Sequence, residues 1–205
     1  MILKIHPKNP EPRKIAEVVA VLAKGGVAIV PTDTIYAFVC DLSQYKGFEK
    51  ICRIKGIKPE KANFSLLCKD LSNISNYTKP FDRSIYKLLN KALPGPYTFL
   101  LEASNEVPSL FRSKKKTIGL RIPDHPIIQE LIEALGRPLV STSLHDLDEI
   151  VAYPSDPELI AEQWESVVDV VVDGDFGHIV ASTIIDCTSG EAVLLREGAG
   201  SSDIL

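Results

Sequence analysis

Metal and redox spacings are missing from this 205-residue sequence. The four histidines, His6, His125, His145 and His178, form no HxxxH or HExxH pair, which argues against a structural metal. The four cysteines, at positions 40, 52, 68 and 187, include no CxxC pair, and three lie in apolar stretches. They read as reduced core residues of a cytosolic protein. No apolar run is long enough to span a membrane, and the start, Met1 to His6, lacks signal-peptide architecture. There is no GxGxxG, no GxxxxGK followed by Ser or Thr, and no GxSxG, so the common phosphate loops and the nucleophile elbow are excluded. Basic residues are missing from one long segment: no Lys or Arg occurs between Pro138 and Leu195.

What is present bounds the class. The chain is 45% hydrophobic, enough for a sizeable core, and its length suits one domain over 1–205. The net charge of −4 hides a division. Residues 1–137 hold 22 of the 23 Lys and Arg against 13 acids, and residues 138–205 hold only Arg196 against 14 acids. Such a chain either presents one positive and one negative face or simply carries solvated surface charge; a positive field would attract phosphates and nucleic acid.

Helical and strand patterns alternate along the chain. Pro10-Glu-Pro-Arg13 opens a helix that Lys24 and Gly25-Gly26 close, and those glycines read as structural. Further helices are expected over Lys46–Arg53, Phe81–Leu93, from Asp124 as N-cap to Gly136, and from the Ser155-Asp-Pro-Glu158 capping box to Trp164. Strands are expected at Leu3–Ile5, Val27–Val30, Ile35–Cys40, Phe64–Cys68, Tyr97–Leu101, Thr117–Ile122, Leu139–Thr142, Val167–Val172, Ser182–Ile185 and Val193–Arg196. This is an α/β or α+β sandwich around one sheet.

Chemistry-bearing residues gather at strand ends. Pro31 stops the first buried strand, and Thr32, Asp33 and Thr34 follow at once. Taken alone they make an ordinary Asx or Ser/Thr turn, the simpler reading, or one wall of a ligand site. Ser141-Thr142-Ser143 is a second hydroxyl cluster at a strand end. Lys55, Arg121 and Arg196 add cationic groups, and the set suits a small polar molecule plus a phosphate ester.

Seven motifs then occur in one order: Lys24-Gly-Gly-Val27 with Pro31-Thr-Asp-Thr-Ile-Tyr36, Arg53-Ile-Lys-Gly56, Pro94-Gly-Pro-Tyr-Thr98, Thr117-Ile-Gly-Leu-Arg-Ile-Pro-Asp-His-Pro126, Ser141-Thr-Ser143, Ser182-Thr-Ile-Ile-Asp186 and Leu195-Arg-Glu-Gly198. Through them the chain resembles the YrdC-like domain family, which includes threonylcarbamoyl-AMP synthases, and within it the YciO branch. The resemblance implies a twisted, open, mixed sheet flanked by helices around a basic concave cleft. Synthases of the family join L-threonine, bicarbonate and ATP, with Mg2+ on the phosphates, for the t6A modification of tRNA. By matched position, Thr32, Thr34, Tyr36, Arg121, Ser141 and Ser182 would serve the threonine end. Lys55, Thr117, Ser143 and Arg196 would serve the ATP or AMP end, with Lys58 and His145 as substitutes for two family residues missing there.

Two positions depart from the synthase pattern. Lys-x-Arg becomes Lys55-Gly56-Ile57, and Ser-x-Asn becomes Ser143-Leu144-His145. A lost Arg fork removes an always-charged bidentate donor. Lys58 is the candidate replacement for the charge, and His145 for one hydrogen bond. Three expectations follow: chemistry that forms or hydrolyses a threonylcarbamoyl-adenylate, RNA binding (tRNA or double-stranded RNA) in the basic cleft, or nucleotide binding without chemistry.

Overall fold

The structure is a computed structural model and describes residues 1–111, 116–144 and 154–205. The chain order is β1 (Ile2–Lys4), α1 (Pro12–Ala23), β2 (Ala28–Val30), β3 (Ala37–Asp41), α2 (Tyr45–Ile54), β4 (Ser65–Leu67), α3 (Leu71–Tyr77), α4 (Arg83–Ala92) and β5 (Tyr97–Glu102). There follow β6 (Thr117–Arg121), α5 (Pro126–Leu135), β7 (Leu139–Ser143), α6 (Pro157–Trp164), β8 (Val170–Asp173), β9 (Thr183–Asp186) and β10 (Val193–Arg196). Among the described residues, ten strands form one mixed sheet in the order β1-β8-β2-β3-β7-β4-β6-β5-β9-β10, flanked by six α-helices.

Local chemistry explains most boundaries. Pro12 sits in the first turn of α1, and Gly25, at φ 81°, ends it in the left-handed region that glycine tolerates. At Gly26 an added Cβ would lie 2.5 Å from a Val21 methyl, so both glycines are structural, as their sequence context indicates. Asp124 does not cap α5: His125 is the N-cap and makes no side-chain cap bond, and the Asp124 N–H is given to Asp33. In α6 the cap is Asp156, one residue beyond the Ser of the expected box. Expected strand residues Val167 and Val168 instead donate their N–H groups to the Trp164 carbonyl, a turn out of α6, and pairing begins at Val170. Helix α3 has no sequence expectation behind it. It is a polar segment that buries only Ile74, and the Asp70 carboxylate nucleates it by accepting from the Asn73 N–H at 2.7 Å.

The two faces of the sheet are covered differently. The larger apolar layer includes Phe38, Phe48, Phe64, Phe99 and Leu89, and Trp164 packs edge-on against Phe38 at 5.1 Å between centroids. The smaller layer packs α1 and α5 onto Val30, Val39, Leu67, Leu139, Val170 and Val172. Side chains alternate along a strand, so Ala37, Ser65 and Ser141 share the face of Val39, Leu67 and Leu139. The α1/α5 layer stops at those apolar residues, and the hydroxyl-bearing positions beyond it stay open.

Among the described residues, no helix is long and apolar enough to cross a membrane.

Candidate functional site

A cleft of about 350 Å3 opens on this face of the sheet. Its floor is a row of residues running across the strands. Ser141 of β7 lies opposite Ser65 of β4, and Ser65 lies opposite Gly119 of β6. Thr98 of β5 pairs with Ile184 of β9, and Ile184 pairs with Arg196 of β10. Gly119 keeps the floor low: a Cβ there would come within 2.5 Å of Ser65 Oγ and 3.3 Å of Thr98 Cγ2. The concavity therefore comes from placing hydroxyls and one glycine where the same strands elsewhere carry Val and Leu.

Four cationic side chains line the cleft: Lys55, Lys61, Arg121 and Arg196. Among the described lining residues none is acidic. Lys55 stands just past α2 and donates from Nζ to the Ser143 carbonyl at 3.0 Å. Arg196 donates from Nη2 and Nε to the Ser182 carbonyl at 2.6 and 3.2 Å. Ser182 Oγ is 2.7 Å from Thr98 Oγ1, so β5, β9 and β10 are tied together at this wall. Ile35, Ile57, Phe64 and Ile184 supply apolar surface beside the polar floor.

Arg121 is the deepest cation. Its Nη2 donates to Asp33 Oδ1 at 2.7 Å and to Thr34 Oγ1 at 3.0 Å, while Nε is buried without a partner. Asp33 Oδ2 accepts the Asp124 N–H at 3.2 Å, and the two ion-paired side chains are only 9% and 8% exposed. Burial pushes the Arg121 guanidinium below its ordinary value; the Asp33 carboxylate opposes that shift, and nearby Arg196 adds to it. Two guanidiniums that repel across the cleft are both relieved by an anion between them.

The Pro31 corner takes the simpler form its sequence allows, a turn whose Thr32, Asp33 and Thr34 lie outside the described cleft lining. Thr32 Oγ1 donates to the Ile35 carbonyl at 2.7 Å and accepts the Thr34 N–H at 3.0 Å, a side-chain-stitched turn. That turn holds Thr34 and Asp33 against Arg121.

Of the residues matched by position, the structure brings Arg121, Ser141, Ser182, Lys55, Ser143 and Arg196 together in the cleft lining. Thr34 lies behind the wall on Arg121, and Thr32 lines a second cavity with Asp33. Tyr36 is placed elsewhere: its hydroxyl donates to the Asp175 carbonyl at 2.7 Å and accepts the Gly174 N–H at 3.3 Å, under the loop after β8. Thr117 stands at the start of β6 opposite Glu102, outside the lining. Lys58 is exposed and begins the 3-10 turn Pro59–Lys61, which turns Lys61 into the cleft in its stead. His145 lies outside the described residues.

Sequence reasoning passed over Lys61, Asn63, Ser65 and Thr98. A signal existed for two of them. Ser65 and Thr98 are single hydroxyl residues inside otherwise apolar strands, a pattern that marks an uncovered stretch of one face.

A basic cleft with no acidic residue among its described lining, on one face of a mixed sheet, defines the α/β class of this protein. The comparisons sharpen that class. Residues 20–198 match the Sua5_yciO_yrdC family, whose description reads telomere recombination, and the chain belongs to this family. It is 43% identical over 197 residues to the protein YciO of Escherichia coli (strain K12), covering 96% of this chain and 94% of that one. The crystal structure of E. coli YciO superposes with a TM-score of 0.92 at 40% identity, covering 100% of this chain and 98% of that one. The crystal structure of P. abyssi Sua5 complexed with L-threonine superposes with a TM-score of 0.87 at 25% identity, covering 97% of this chain and 57% of the longer Sua5 chain.

Proposed function

We propose that the cleft binds an adenine nucleotide beside a small hydroxy amino acid such as L-threonine. In this reading the protein works on, or holds, a threonylcarbamoyl-adenylate-like compound. The observation that carries it is the convergence of Lys55, Lys61, Arg121 and Arg196 on one hydroxyl floor, with no acidic residue among the described lining. Ser141, Ser182 and Thr98 supply hydroxyls that accept from an ammonium and donate to a carboxylate. Arg121 offers its charge to that carboxylate, and Lys55, Lys61 and Arg196 offer theirs to phosphate oxygens. The threonine complex of the structural neighbour Sua5 supports the amino-acid half of the reading.

Catalysis here would rest on positioning two reactants and neutralising phosphate charge. Mg2+ is expected as the partner of ATP. The described lining offers no carboxylate, and the described residues hold no group of three or more His, Cys, Asp or Glu able to bind a metal. The described residues do not fit a protein-held magnesium, so in this reading the ion arrives with the nucleotide.

A second reading keeps the binding and drops the synthesis. Ile57 lines the cleft and packs against the core where synthases carry an Arg, so the phosphate wall has one guanidinium fewer. Hydrolysis of the adenylate, or its binding without chemistry, needs less charge on the leaving phosphates than synthesis does. Incubation with ATP, bicarbonate and L-threonine, and separately with the adenylate, separates these readings. Adenylate formation supports synthesis, consumption of the adenylate supports hydrolysis, and saturable binding without turnover supports the silent binder. Absence of nucleotide binding would overturn all three.

RNA belongs to the same proposal as a partner of the basic rim. Arg53, Lys58 and Lys61 are exposed on or beside the segment that walls the cleft. Binding to tRNA or duplex RNA should weaken steeply as salt rises, because the contacts are to phosphates. A salt-independent association would remove RNA from the reading.

A further inference from the structure

The cleft leaves one surface unexplained. The loop after β8 exposes three large apolar side chains, Phe176 at 70%, Ile179 at 62% and Val180 at 48%. Beside it lies a cavity of about 530 Å3 whose walls include Pro7, Pro31, Pro94 and Pro96. Its polar lining is Thr32, Asp33, Asp124 and Asp175, with His125 and His178, and no Lys or Arg among the described residues.

The loop is held firmly although it is exposed. The buried Tyr36 hydroxyl binds Gly174 and Asp175 from beneath. The Gly177 N–H donates to the Ser155 carbonyl at 2.8 Å, and the His178 N–H to the Thr34 carbonyl at 3.0 Å. Gly177 lies so close to the Tyr36 ring that a Cβ would stand 2.7 Å from it. Asp175 sits at φ 76°, a left-handed conformation that its neighbours enforce. An exposed aromatic on a pinned loop has little conformational entropy left to lose on association.

We propose that this face is a docking surface for a protein partner whose contact segment carries Lys or Arg around an apolar side chain. Apolar anchors surrounded by a charged rim are the ordinary anatomy of a protein–protein contact. Asp124 and Asp175 supply the rim and call for cations opposite. Asp33 adds little of that charge, since Arg121 already neutralises it. RNA is disfavoured because the described lining has no Lys or Arg to meet a phosphate. Symmetric pairing with a second copy is disfavoured because it would set carboxylates against carboxylates. The inference is independent of the nucleotide reading, since neither Phe176 nor the two rim carboxylates line the cleft.

The test is site-specific photocrosslinking of the full chain, with p-benzoylphenylalanine in place of Phe176, in cells that naturally express the protein. The expected result is a protein adduct whose crosslinked segment is net basic and contains an apolar side chain. Its yield should drop by about tenfold in Asp124→Asn/Asp175→Asn, since rim charge governs encounter. Thermal melting of that variant checks that the fold is kept. An adduct with RNA, with a second copy, or with an acidic or uncharged segment overturns the proposal. So does an adduct that survives the charge removal, or no adduct at all.

Discussion

The ion pair between Arg121 and Asp33 has one member in each of two cavities, and those cavities are chemical opposites. The front cleft has four cations and a hydroxyl floor, with no acidic residue among its described lining. The rear cavity has three carboxylates, two histidines and four prolines, with no Lys or Arg among its described lining. A uniform surface would have mixed these. The separation puts the Asp33 carboxylate behind Arg121 and outside the cleft's described lining. The difference also locates the charge division of the sequence. Arg196, the one base after position 138, is folded into the cleft and joins three cations from the first two-thirds of the chain.

The comparison breaks most severely at the pair itself. Arg121→Ala leaves the buried Asp33 carboxylate without its cation and should cost about 3–5 kcal/mol of stability. Chemical denaturation of the variant measures this, and a loss under about 1 kcal/mol would mean that the pair is not the partition described here. The next effect is on the cleft alone. Lys55→Ala and Arg196→Ala each remove a charged donor, worth about 1.5–3 kcal/mol of ligand affinity, or roughly 10–100-fold in dissociation constant. Calorimetry should register that loss for ATP and a smaller one for L-threonine.

A gentler change tests the rear. Tyr36→Phe deletes the hydroxyl beneath Gly174 and Asp175 and should cost about 1–2 kcal/mol, with faster amide exchange confined to the 174–178 loop. Equal loosening in the cleft strands would contradict the division between the two regions. The smallest effect concerns pH. Burial holds the His125 imidazole below its ordinary value of 6.5, with His178 pushing the same way and Asp33 and Asp124 opposing. The unfolded chain then binds more protons than the folded one near and below pH 6.5, so stability falls as pH drops through that range. His125→Gln should flatten this part of a melting-temperature profile, and an unchanged slope would remove His125 as its source.

How far the sequence foretells this architecture depends on whether its signals are local. Strand and helix periods, the proline at the end of β2 and the glycines after α1 are local, and the observed elements follow them closely. The hydroxyls at Ser141 and Ser182 and the cations at Lys55, Arg121 and Arg196 were also legible, since each sits in a recognisable motif. Lys61 was not. Only the 3-10 turn at Pro59–Lys61 decides that Lys61 enters the cleft and Lys58 points to solvent. Tyr36 belongs to the same motif as Thr34, yet it precedes β3 and packs into the larger apolar layer, under the rear loop. The rear cavity was invisible for a similar reason. It gathers residues from five separate segments, and no spacing in the chain brings them together.

The central claim is that the basic cleft is an anion site for a nucleotide. Titration of ATP into the wild-type protein and into Lys55→Ala/Arg196→Ala, by calorimetry at 150 mM salt as a working condition of about physiological strength, tests it most directly. The account predicts saturable binding that the folded double variant has lost. Equal binding by both proteins, or none by the wild type, would contradict it.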